Sequence, residues 1–328
     1  MKSRTEGACL PKLSRVAVCG GTHGNELSGV YLIKELMKRR READDEEQPI
    51  LVLSNPRAAQ QCLRYIEVDL NRCFSHDALN APLSDSAPYE VIRSREINAV
   101  LGPKGSADSV DFICDLHNTT ANMGLCFISC SDSDWISLKL MRHFNQTCSI
   151  SVLCHIGPTF LSFSASVSVF RFARWCFVTF PRCVFTAMEV GPQPHGVVRS
   201  NVYTTMKTAL ELVLHWIRLF NCGTVFEGGP VDVFTLVKHV DYPRDCSTHD
   251  IVAAIHPLLQ DKDFCLLNPG DPVFQTFSGE TITYNGSESL YPFFINECAY
   301  YEKGIAFSLS RKSRILLNTN GFRTDFKL

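Results

Sequence analysis

Residues 20–26 read Gly-Gly-Thr-His-Gly-Asn-Glu, and they follow directly on the short apolar run Val16–Cys19. The apolar run predicts a buried strand, and the two glycines predict a tight turn into the helix that follows. His23 and Glu26 therefore stand three residues apart at the end of a strand, where both side chains can reach one metal ion. The simpler alternative is that they only cap the helix, because short motifs of this kind often match by chance.

A second histidine stands in the same kind of position. His117 lies 91 residues beyond Glu26, at the end of another apolar run, Val110–Leu116. Sheets built from alternating strands and helices place their ligands at the carboxyl ends of the strands, which is where His23 and His117 fall. Two histidines and a carboxylate leave the fourth position of a tetrahedral zinc ion open, and this is the catalytic pattern rather than the structural one.

Composition and charge exclude several classes of protein. The chain has 328 residues and a formal net charge of −2, so it can bury a large core and gives no sign of a nucleic-acid partner. We find neither the apolar core of a signal peptide near the start nor a run of about eighteen apolar residues, and we therefore expect a soluble intracellular enzyme. The 15 cysteines include no C-x-x-C pair, which indicates buried, reduced thiols.

Strands and helices alternate over the first two-thirds of the chain, which predicts an α/β sheet with helices on both faces. The predicted strands are Arg15–Cys19, Ile50–Leu53, Asp111–Leu116, Ser149–Cys154 and Phe185–Val190. The predicted helices are Glu26–Arg39, Pro88–Leu101, Ser133–Phe144 and Arg199–Phe220, with a further helix beginning at Asn55-Pro56.

The sequence pattern changes after Asn221-Cys222-Gly223. Short segments punctuated by Gly, Pro and Asn follow, and they predict a mostly β second domain. We expect residues 1–222 and 223–328 to form two domains, the second covering the active site. The predicted strands are Val231–Val240, Val252–His256, Asp271–Phe277, Glu280–Tyr284, Tyr291–Ile295 and Ile305–Leu309, before a polar and basic tail of unassigned role.

Two other segments carry residues suited to a polar substrate. Arg64–Arg72 holds two arginines and Asn71, and guanidinium groups bind carboxylates in a two-pronged contact. A charged surface loop is the alternative.

Glu189 ends the predicted strand Phe185–Val190, where it is either a buried general base with a raised pKa or a residue facing solvent. His195 follows in a turn, and we expect it to be structural.

With these residues assembled, the sequence resembles the aspartoacylase and aminoacylase III family along nearly its whole length. This resemblance implies a zinc carboxypeptidase-like α/β fold, with a mixed sheet flanked by helices and a smaller C-terminal β domain. The matching stretches are Gly20–Leu32, Arg64–Arg72, Pro88–Lys104, Asp115–Gly124, Glu189–Arg199, Val240–Asp245, His256–Phe264 and Tyr291–Phe307.

The resemblance also implies a metal site and a catalytic base. By position, His23, Glu26 and His117 hold one zinc ion per subunit, and Glu189 activates the zinc-bound water. Such a water is acidic enough to attack an amide near neutral pH, and the carboxylate then passes its proton to the leaving amine.

Four further residues are implied to contact the substrate, as Glu189 also does. Arg64 polarises the scissile carbonyl and stabilises the oxyanion, in keeping with the charge that develops there. Asn71 and Arg72 bind the α-carboxylate of the amino acid. Tyr300 matches the first tyrosine of the family's Tyr-Tyr-Glu-Lys and contacts substrate.

Three segments, at residues 28–32, 275–280 and 300–307, resemble the aminoacylase III branch more than aspartoacylase. That branch deacylates N-acyl aromatic amino acids and N-acetylated cysteine S-conjugates, so we expect this activity, with N-acetylaspartate as the alternative substrate. Family members are cytoplasmic and self-associating, and the aminoacylase branch also lies at the apical cell membrane. The resemblance therefore implies a homo-oligomer that acts on a small molecule and binds no nucleic acid.

One stretch, residues 157–183, departs from the family. It is rich in Phe and Ser and lacks the Tyr that the family places before the general base. Its arginines, Arg171, Arg174 and Arg182, do not align with the Arg that the aspartoacylase branch has there, so neither role is carried over. A divergent substrate loop is one explanation. Non-coding sequence translated in frame is the other, and we favour it because local and global signals conflict here. We expect the stretch to pack poorly while the strands on either side still join the sheet.

Three functions are therefore in competition. The first is a zinc amidohydrolase that deacylates N-acyl amino acids. The second is a metallocarboxypeptidase, which shares the metal and arginine arrangement, although a β domain covering the site favours small substrates. The third is a catalytically silent homologue that binds acyl amino acids or a family partner. In that case the sequence at 157–183, which differs from the family, has disabled catalysis.

Overall fold

The protein is described here by a computed structural model, which covers residues 12–42, 48–129, 134–147, 152–156 and 183–319. Within these residues the chain forms twelve strands. In chain order they are β1 (Val16–Gly20), β2 (Ile50–Leu53), β3 (Phe112–Asn118), β4 (Leu125–Ser129), β5 (Val152–Ile156), β6 (Val184–Val190), β7 (Gly229–Val240), β8 (Ala253–Ile255), β9 (Pro272–Thr276), β10 (Thr281–Thr283), β11 (Tyr291–Phe293) and β12 (Phe307–Leu317).

Nine of these strands form one mixed sheet in the order β11-β12-β7-β5-β4-β6-β3-β1-β2. The part that holds the predicted metal ligands is parallel, with β1 pairing β2 and β3, and β3 pairing β6. β4 then runs antiparallel to β6. All seven residues of β3 are buried, as in a strand whose two faces are both covered.

Six α-helices accompany the sheet in the ranges that the structure describes. They are α1 (Leu27–Glu42), α2 (Pro56–Gln61), α3 (His76–Asn80), α4 (Tyr89–Val100), α5 (Trp135–Thr147) and α6 (Ser200–Asn221). Side chains of α1, α5 and α6 share one apolar cluster with Val18, whereas α4 packs in a second cluster with Ala17 and Cys19. Successive strand residues point to opposite faces, so helices cover both faces as predicted.

The C-terminal segment both extends the central sheet and forms a sheet of its own. β7 joins the nine-stranded sheet parallel to β5, and β12 and β11 follow it as antiparallel neighbours. β8, β9 and β10 form a separate three-stranded sheet. The tail after Ser310, left unassigned from the sequence, continues β12 as far as Leu317. Its apolar residues Ile315 and Leu317 are buried in the core shared with α6, which is why the strand is longer than its pattern suggested.

The helix predicted to begin at Asn55-Pro56 does so, and Asn55 Oδ1 accepts a hydrogen bond from Ala58 N at 3.2 Å. One strand was not predicted: β4, a five-residue apolar segment that begins seven residues after β3 ends. The strand predicted at Ser149–Cys154 is found two to three residues later, as β5.

The departing stretch falls almost wholly outside the described residues, since 157–182 are not covered. The expectation that it packs poorly is therefore untested, but the strands on either side, β5 and β6, both belong to the central sheet. In the described part of the chain, no helix combines the length and apolar character needed to cross a membrane.

Candidate metal centre and active site

The loop between β1 and α1 brings His23 and Glu26 to the edge of the sheet. Its sharp path depends on glycine: Gly21 has φ +70°, and a Cβ on Gly24 would lie 2.1 Å from the carbonyl carbon of Ala58 in α2. Gly24 N also donates a hydrogen bond to Arg64 O at 3.2 Å. This close approach fixes the metal-binding loop against the segment that carries Arg64.

The three predicted ligands converge. His23, Glu26 and His117 each offer a ligand atom within 4.8 Å of the others, and all three residues are buried. Glu26 lies between the two rings, with Oε1 at 2.6 Å from His23 Nδ1 and Oε2 at 3.0 Å from His117 Nδ1. The chain therefore holds a potential metal-binding triad at the place that the sequence indicated, and the helix-cap alternative is not needed.

Two aspartates orient the histidines from behind. His117 Nε2 lies 2.9 Å from Asp115 Oδ2, and Asp115 accepts a further hydrogen bond from Thr22 Oγ1 at 2.9 Å. His23 Nε2 lies 3.2 Å from Asp69 Oδ1. Metal-binding histidines commonly contact such outer carboxylates, which fix the ring and its tautomer. Asp115 could have been found from the sequence, because it precedes His117 by two residues on one strand face.

The charges of the pocket suit a cation. Burial alone would raise the pKa of Glu26, but His23 and His117 outweigh burial and hold this pKa well below its ordinary value. Burial likewise disfavours a charged His117, yet Asp115 and Glu26 raise its pKa well above the usual range. Positive charge is thus stabilised between carboxylates. A divalent ion with nitrogen and oxygen ligands fits this donor set.

Glu189 faces the same space from the neighbouring strand. It is the register partner of His117 across β3 and β6, and it is 4% exposed. Burial raises the pKa of Glu189 to about 8, with Glu26 and Glu297 adding to the rise and His117 and Arg64 opposing it. Its Oε2 atom is buried and has no hydrogen-bond partner among the described residues. Such an orphaned atom points to a ligand or water that completes the site.

Arg64 belongs to the pocket and not to a surface loop. Its side chain is 13% exposed, and Nη1 lies 3.2 Å from Glu26 Oε1. Its Nε atom is buried and without a partner in the described part of the chain. The charged-surface alternative is therefore wrong for this residue, and a guanidinium group stands beside the metal ligands.

Asn71 and Arg72 lie close to this guanidinium group. Arg72 Nη2 is 3.9 Å from Asp69 Oδ2, the same oxygen that lies 3.7 Å from Arg64 Nη2. Asn71 is buried within the short 3₁₀ turn Leu70–Arg72, which Asp69 caps. Asn71 and Arg72 are grouped with Arg64 around Asp69, but neither lines the cavity described next.

A cavity that opens to solvent joins His23 and Glu26 to the C-terminal segment, with about 230 Å³ of empty space when its mouth is included. Predicted residues that line it include Arg64, Glu189 and Tyr300, so these groups face one space. Four of its residues come from the segment after β11, which covers the site. The lining consists of His23, Glu26, Arg64, Asn118, Thr119, Glu189, Phe294, Glu297, Ala299 and Tyr300.

Glu297 is a site residue that the sequence did not reveal. It is 3% exposed, and its Oε2 atom accepts hydrogen bonds from Thr120 N at 2.7 Å and Thr120 Oγ1 at 3.0 Å. His195 Nε2 lies 3.5 Å from its other oxygen. Glu297 thus connects the C-terminal segment to the loop after β3, and His195, expected to be structural, lies against this connection.

Tyr300 lines the cavity, and Lys303 lies next to it. Burial and the negative charges of Glu189 and Glu297 raise the pKa of Tyr300 well above its ordinary value, so its hydroxyl stays neutral. Burial, together with Arg64 and Arg72, lowers the pKa of Lys303 to about 8. Lys303 Nζ lies 3.8 Å from Asp69 Oδ2 and over the Tyr300 ring. Three basic side chains therefore meet at one aspartate.

Fold and site together define a hydrolase-like α/β protein with a potential metal-binding triad. Residues 12–217 match the succinylglutamate desuccinylase/aspartoacylase catalytic domain, and residues 229–312 match the AstE/AspA barrel-sandwich hybrid domain. The chain belongs to this family, as its sequence indicated. The predicted domain boundary after residue 222 falls between the two matched ranges and stays a prediction.

Two relatives compared by sequence and one solved structure show which enzymes of the family the chain resembles. N-acyl-aromatic-L-amino acid amidohydrolase (carboxylate-forming) B of Danio rerio is 52% identical over 311 residues, covering 94% of this chain and 96% of the relative. Aspartoacylase of Danio rerio is 44% identical, with all of both chains covered. The crystal structure of murine aminoacylase 3 superposes with a TM-score of 0.84 at 38% identity, covering 94% of this chain and 99% of that one. The protein is thus similar to amide-cleaving enzymes over nearly its full length.

Proposed function

We propose that the protein is a zinc-dependent amidohydrolase that removes the acyl group from N-acyl aromatic amino acids and from N-acetylated cysteine S-conjugates. The observation that carries the proposal is the convergence of His23, Glu26 and His117. Two of these residues, His23 and Glu26, line one cavity together with Glu189 and Arg64. A metal site, a carboxylate and a guanidinium group are the parts that amide hydrolysis requires.

The metal and the base divide the first step between them. Zinc held by His23, Glu26 and His117 would lower the pKa of a water molecule toward neutrality and polarise the substrate carbonyl. Glu189 then accepts a proton from the attacking water and delivers it to the nitrogen of the leaving amine. Burial raises the pKa of Glu189 above the ordinary carboxylate value, which makes it a stronger base for this transfer.

Arg64 supplies fixed positive charge where the carbonyl oxygen becomes negative. Its guanidinium lies beside Glu26 in a mostly buried position, so its attraction for that oxygen is weakly screened by water. Asn71 and Arg72 bind the α-carboxylate of the amino-acid half, and the neutral hydroxyl of Tyr300 contacts the substrate. The three basic groups around Asp69 favour an anionic substrate.

The choice of amino acid rests on the relatives and on the cavity wall. The relative at 52% identity is named as acting on N-acyl aromatic amino acids, and aspartoacylase is 44% identical. Phe294, Ala299 and Tyr300 give the cavity an apolar side, which an aromatic ring or thioether can contact. We therefore place aromatic substrates first and N-acetylaspartate second.

Cellular setting follows from the family resemblance. We propose that the protein works in the cytoplasm, self-associates, and also lies at the apical cell membrane. The near-neutral net charge of −2 supports small-molecule substrates and gives no support for nucleic acid. Mass measurement of the native protein in solution and fractionation of cells that express it test these assignments.

The deciding experiment pairs zinc content with turnover of three substrates. The full chain is loaded with zinc, its zinc-to-protein ratio is measured, and release of free amine is followed from N-acetyl-L-tyrosine, N-acetyl-L-aspartate and a dipeptide with a C-terminal tyrosine. We expect one zinc per chain and a kcat/KM for N-acetyl-L-tyrosine at least about tenfold above the other two, equivalent to about 1.4 kcal/mol.

Each competing function predicts a different outcome. Preference for N-acetyl-L-aspartate would make the protein an aspartoacylase, and preference for the dipeptide would make it a carboxypeptidase. Bound zinc without turnover of any substrate would identify a catalytically silent homologue. The His76→Ala variant is the matched control, because His76 is an exposed histidine remote from the ligand set.

A further inference from the structure

Glu90 is a buried carboxylate that the proposed mechanism does not use. It lies in the first turn of α4 and is 0% exposed. Among the described residues, no basic side chain forms an ion pair with it. A buried carboxylate without a counter-ion is costly unless hydrogen bonds stabilise its charge. Its partners therefore indicate what it does.

Three consecutive backbone amides and one side chain satisfy this carboxylate. Oε1 accepts from Ile66 N at 2.6 Å and from Asn55 Nδ2 at 3.1 Å. Oε2 accepts from Glu67 N at 3.1 Å and Val68 N at 3.2 Å. Burial alone would raise the pKa of Glu90, but these donors outweigh it and lower the pKa, so the group stays ionised. Successive N–H groups aimed at one anion form an anion-binding concavity.

The amides that Glu90 holds lie within one short segment, residues 64–69, which we name the arginine loop. At its start, Arg64 Nη1 lies 3.2 Å from Glu26 Oε1. At its end, Asp69 Oδ1 lies 3.2 Å from His23 Nε2. Both ends of the arginine loop therefore contact potential metal ligands. Glu90 accepts hydrogen bonds from the amides between these two ends.

Helix α4, which carries Glu90, is itself held in place by contacts on both sides. The Glu67 side chain accepts a hydrogen bond from Tyr89 N, at the start of α4. A loop side chain therefore binds a backbone amide of the helix, just as Glu90 of the helix binds backbone amides of the loop. Arg93, one turn further along α4, donates from Nε to Ser54 O at 2.8 Å, just beyond β2. Ile97 is fully buried in the core under the sheet. The helix is thus anchored to the strands that end at the site.

We propose that Glu90 is the positioning residue of the arginine loop, holding Arg64 and Asp69 in register with the metal-binding side chains. It contacts neither substrate nor metal ligand and acts through the three amides. This assignment rests on the proposed function for its effect on catalysis. Misplacement of a catalytic group by about 1 Å can cost about a hundredfold in rate.

The test compares Glu90→Gln with Glu96→Gln, an exposed position on the same helix. Glutamine keeps the shape of Glu90 but turns an NH₂ group toward N–H donors, so at least one pair of hydrogen bonds is lost. We expect kcat/KM of Glu90→Gln to fall between about tenfold and a hundredfold, chiefly through kcat, at unchanged zinc content. Glu96→Gln should match the wild type.

A double-mutant cycle separates positioning from general destabilisation. If Glu90 acts through Arg64, Glu90→Gln should cost little further activity in an Arg64→Lys background. Independent, multiplying losses would overturn the proposal. So would a Glu90→Gln enzyme that melts at lower temperature yet keeps the wild-type kcat/KM while folded.

Amide hydrogen exchange gives a readout that does not depend on activity. In Glu90→Gln, a peptide covering residues 63–72 should exchange at least about tenfold faster, while a peptide from β3 is unchanged. Unchanged exchange in the loop overturns the proposal even if the wild type proves inactive, whereas inactivity alone counts only against the proposed function. If Glu90→Gln does not fold, Glu90→Asp, which keeps the charge but is one methylene shorter, is measured by the same exchange and kinetic criteria.

Discussion

His117 and Glu189 lie opposite each other on the adjacent parallel strands β3 and β6. Backbone hydrogen bonds of the sheet set the separation of these two residues, and both strands are buried along their length. The candidate metal ligand and the proposed proton acceptor are therefore held by one rigid element and do not depend on a loop for their alignment. Sites built on strands are positioned more accurately than sites built on loops.

Removal of a histidine from the triad should abolish both zinc binding and hydrolysis. His23→Ala or His117→Ala leaves two protein ligands, which are too few to hold zinc in an open site. We expect zinc content below about a tenth of the wild-type ratio after dialysis against a weak chelator. His76→Ala should keep both zinc and activity. Full zinc occupancy in either site variant would remove that histidine from the ligand set.

Glu189→Gln should separate metal binding from catalysis. The amide cannot accept a proton, whereas the three ligands are unchanged, so zinc content and KM should stay within about twofold of the wild type. We expect kcat to fall by about 10²–10⁴-fold, the range typical of acid–base catalysis. Glu280→Gln, at an exposed site, is the control. A loss smaller than about tenfold would assign the proton transfer to another group.

Local patterns predicted the strand ends but not the contacts made across the chain. His23, Glu26 and His117 were found because apolar runs end beside them, and parallel strands bring such ends together. Glu297 was missed because its partner Thr120 lies 177 residues away. Nothing in the composition around either residue indicates that contact, which exists only once the C-terminal segment folds over the sheet.

Arg72→Lys should chiefly weaken substrate binding. A lysine ammonium is a single point charge and cannot reproduce the two-pronged contact of a guanidinium group with a carboxylate. We expect KM for N-acetyl-L-tyrosine to rise about tenfold with little change in kcat, equivalent to about 1.4 kcal/mol of binding free energy. The amide derivative, which lacks the carboxylate, should be hydrolysed equally by both enzymes. If replacing the carboxylate by an amide lowers kcat/KM by the same factor in both enzymes, so that the wild type keeps its advantage, Arg72 does not bind the carboxylate.

Asp115→Asn should weaken zinc binding without removing a ligand. Asp115 contacts His117 Nε2 at 2.9 Å, and loss of its charge lowers the basicity of the ring and relaxes its orientation. Replacing such an outer carboxylate typically costs about 10–100-fold in metal affinity. Competition with a fluorescent zinc chelator measures this directly, with Asp85→Asn at an exposed site as the control. Unchanged affinity would show that the contact is not needed for zinc binding.

Asp263→Asn should remove a pH dependence from the stability of the fold. Asp263 Oδ1 accepts a hydrogen bond from Ile295 N at 3.1 Å, beside the segment that covers the site, and its Oδ2 atom is buried without a partner among the described residues. Burial raises the pKa of Asp263 from its ordinary 3.8 to about 7. The folded state therefore keeps this proton up to about pH 7, whereas the unfolded chain releases it near pH 4.

Stability should accordingly decline as pH rises between about 4 and 7 and then level off, since the folded state binds more protons within that window. Asparagine keeps the oxygen that accepts from Ile295 and cannot ionise. We expect the variant to equal the wild type near pH 4 and to be more stable by about 2 kcal/mol at pH 8, because the partly exposed side chain is screened by water. Denaturant unfolding at both pH values measures the difference, and Asp85→Asn, at an exposed site, should show none. A variant whose stability declines with pH as steeply as that of the wild type would mean that Asp263 is not the group that titrates.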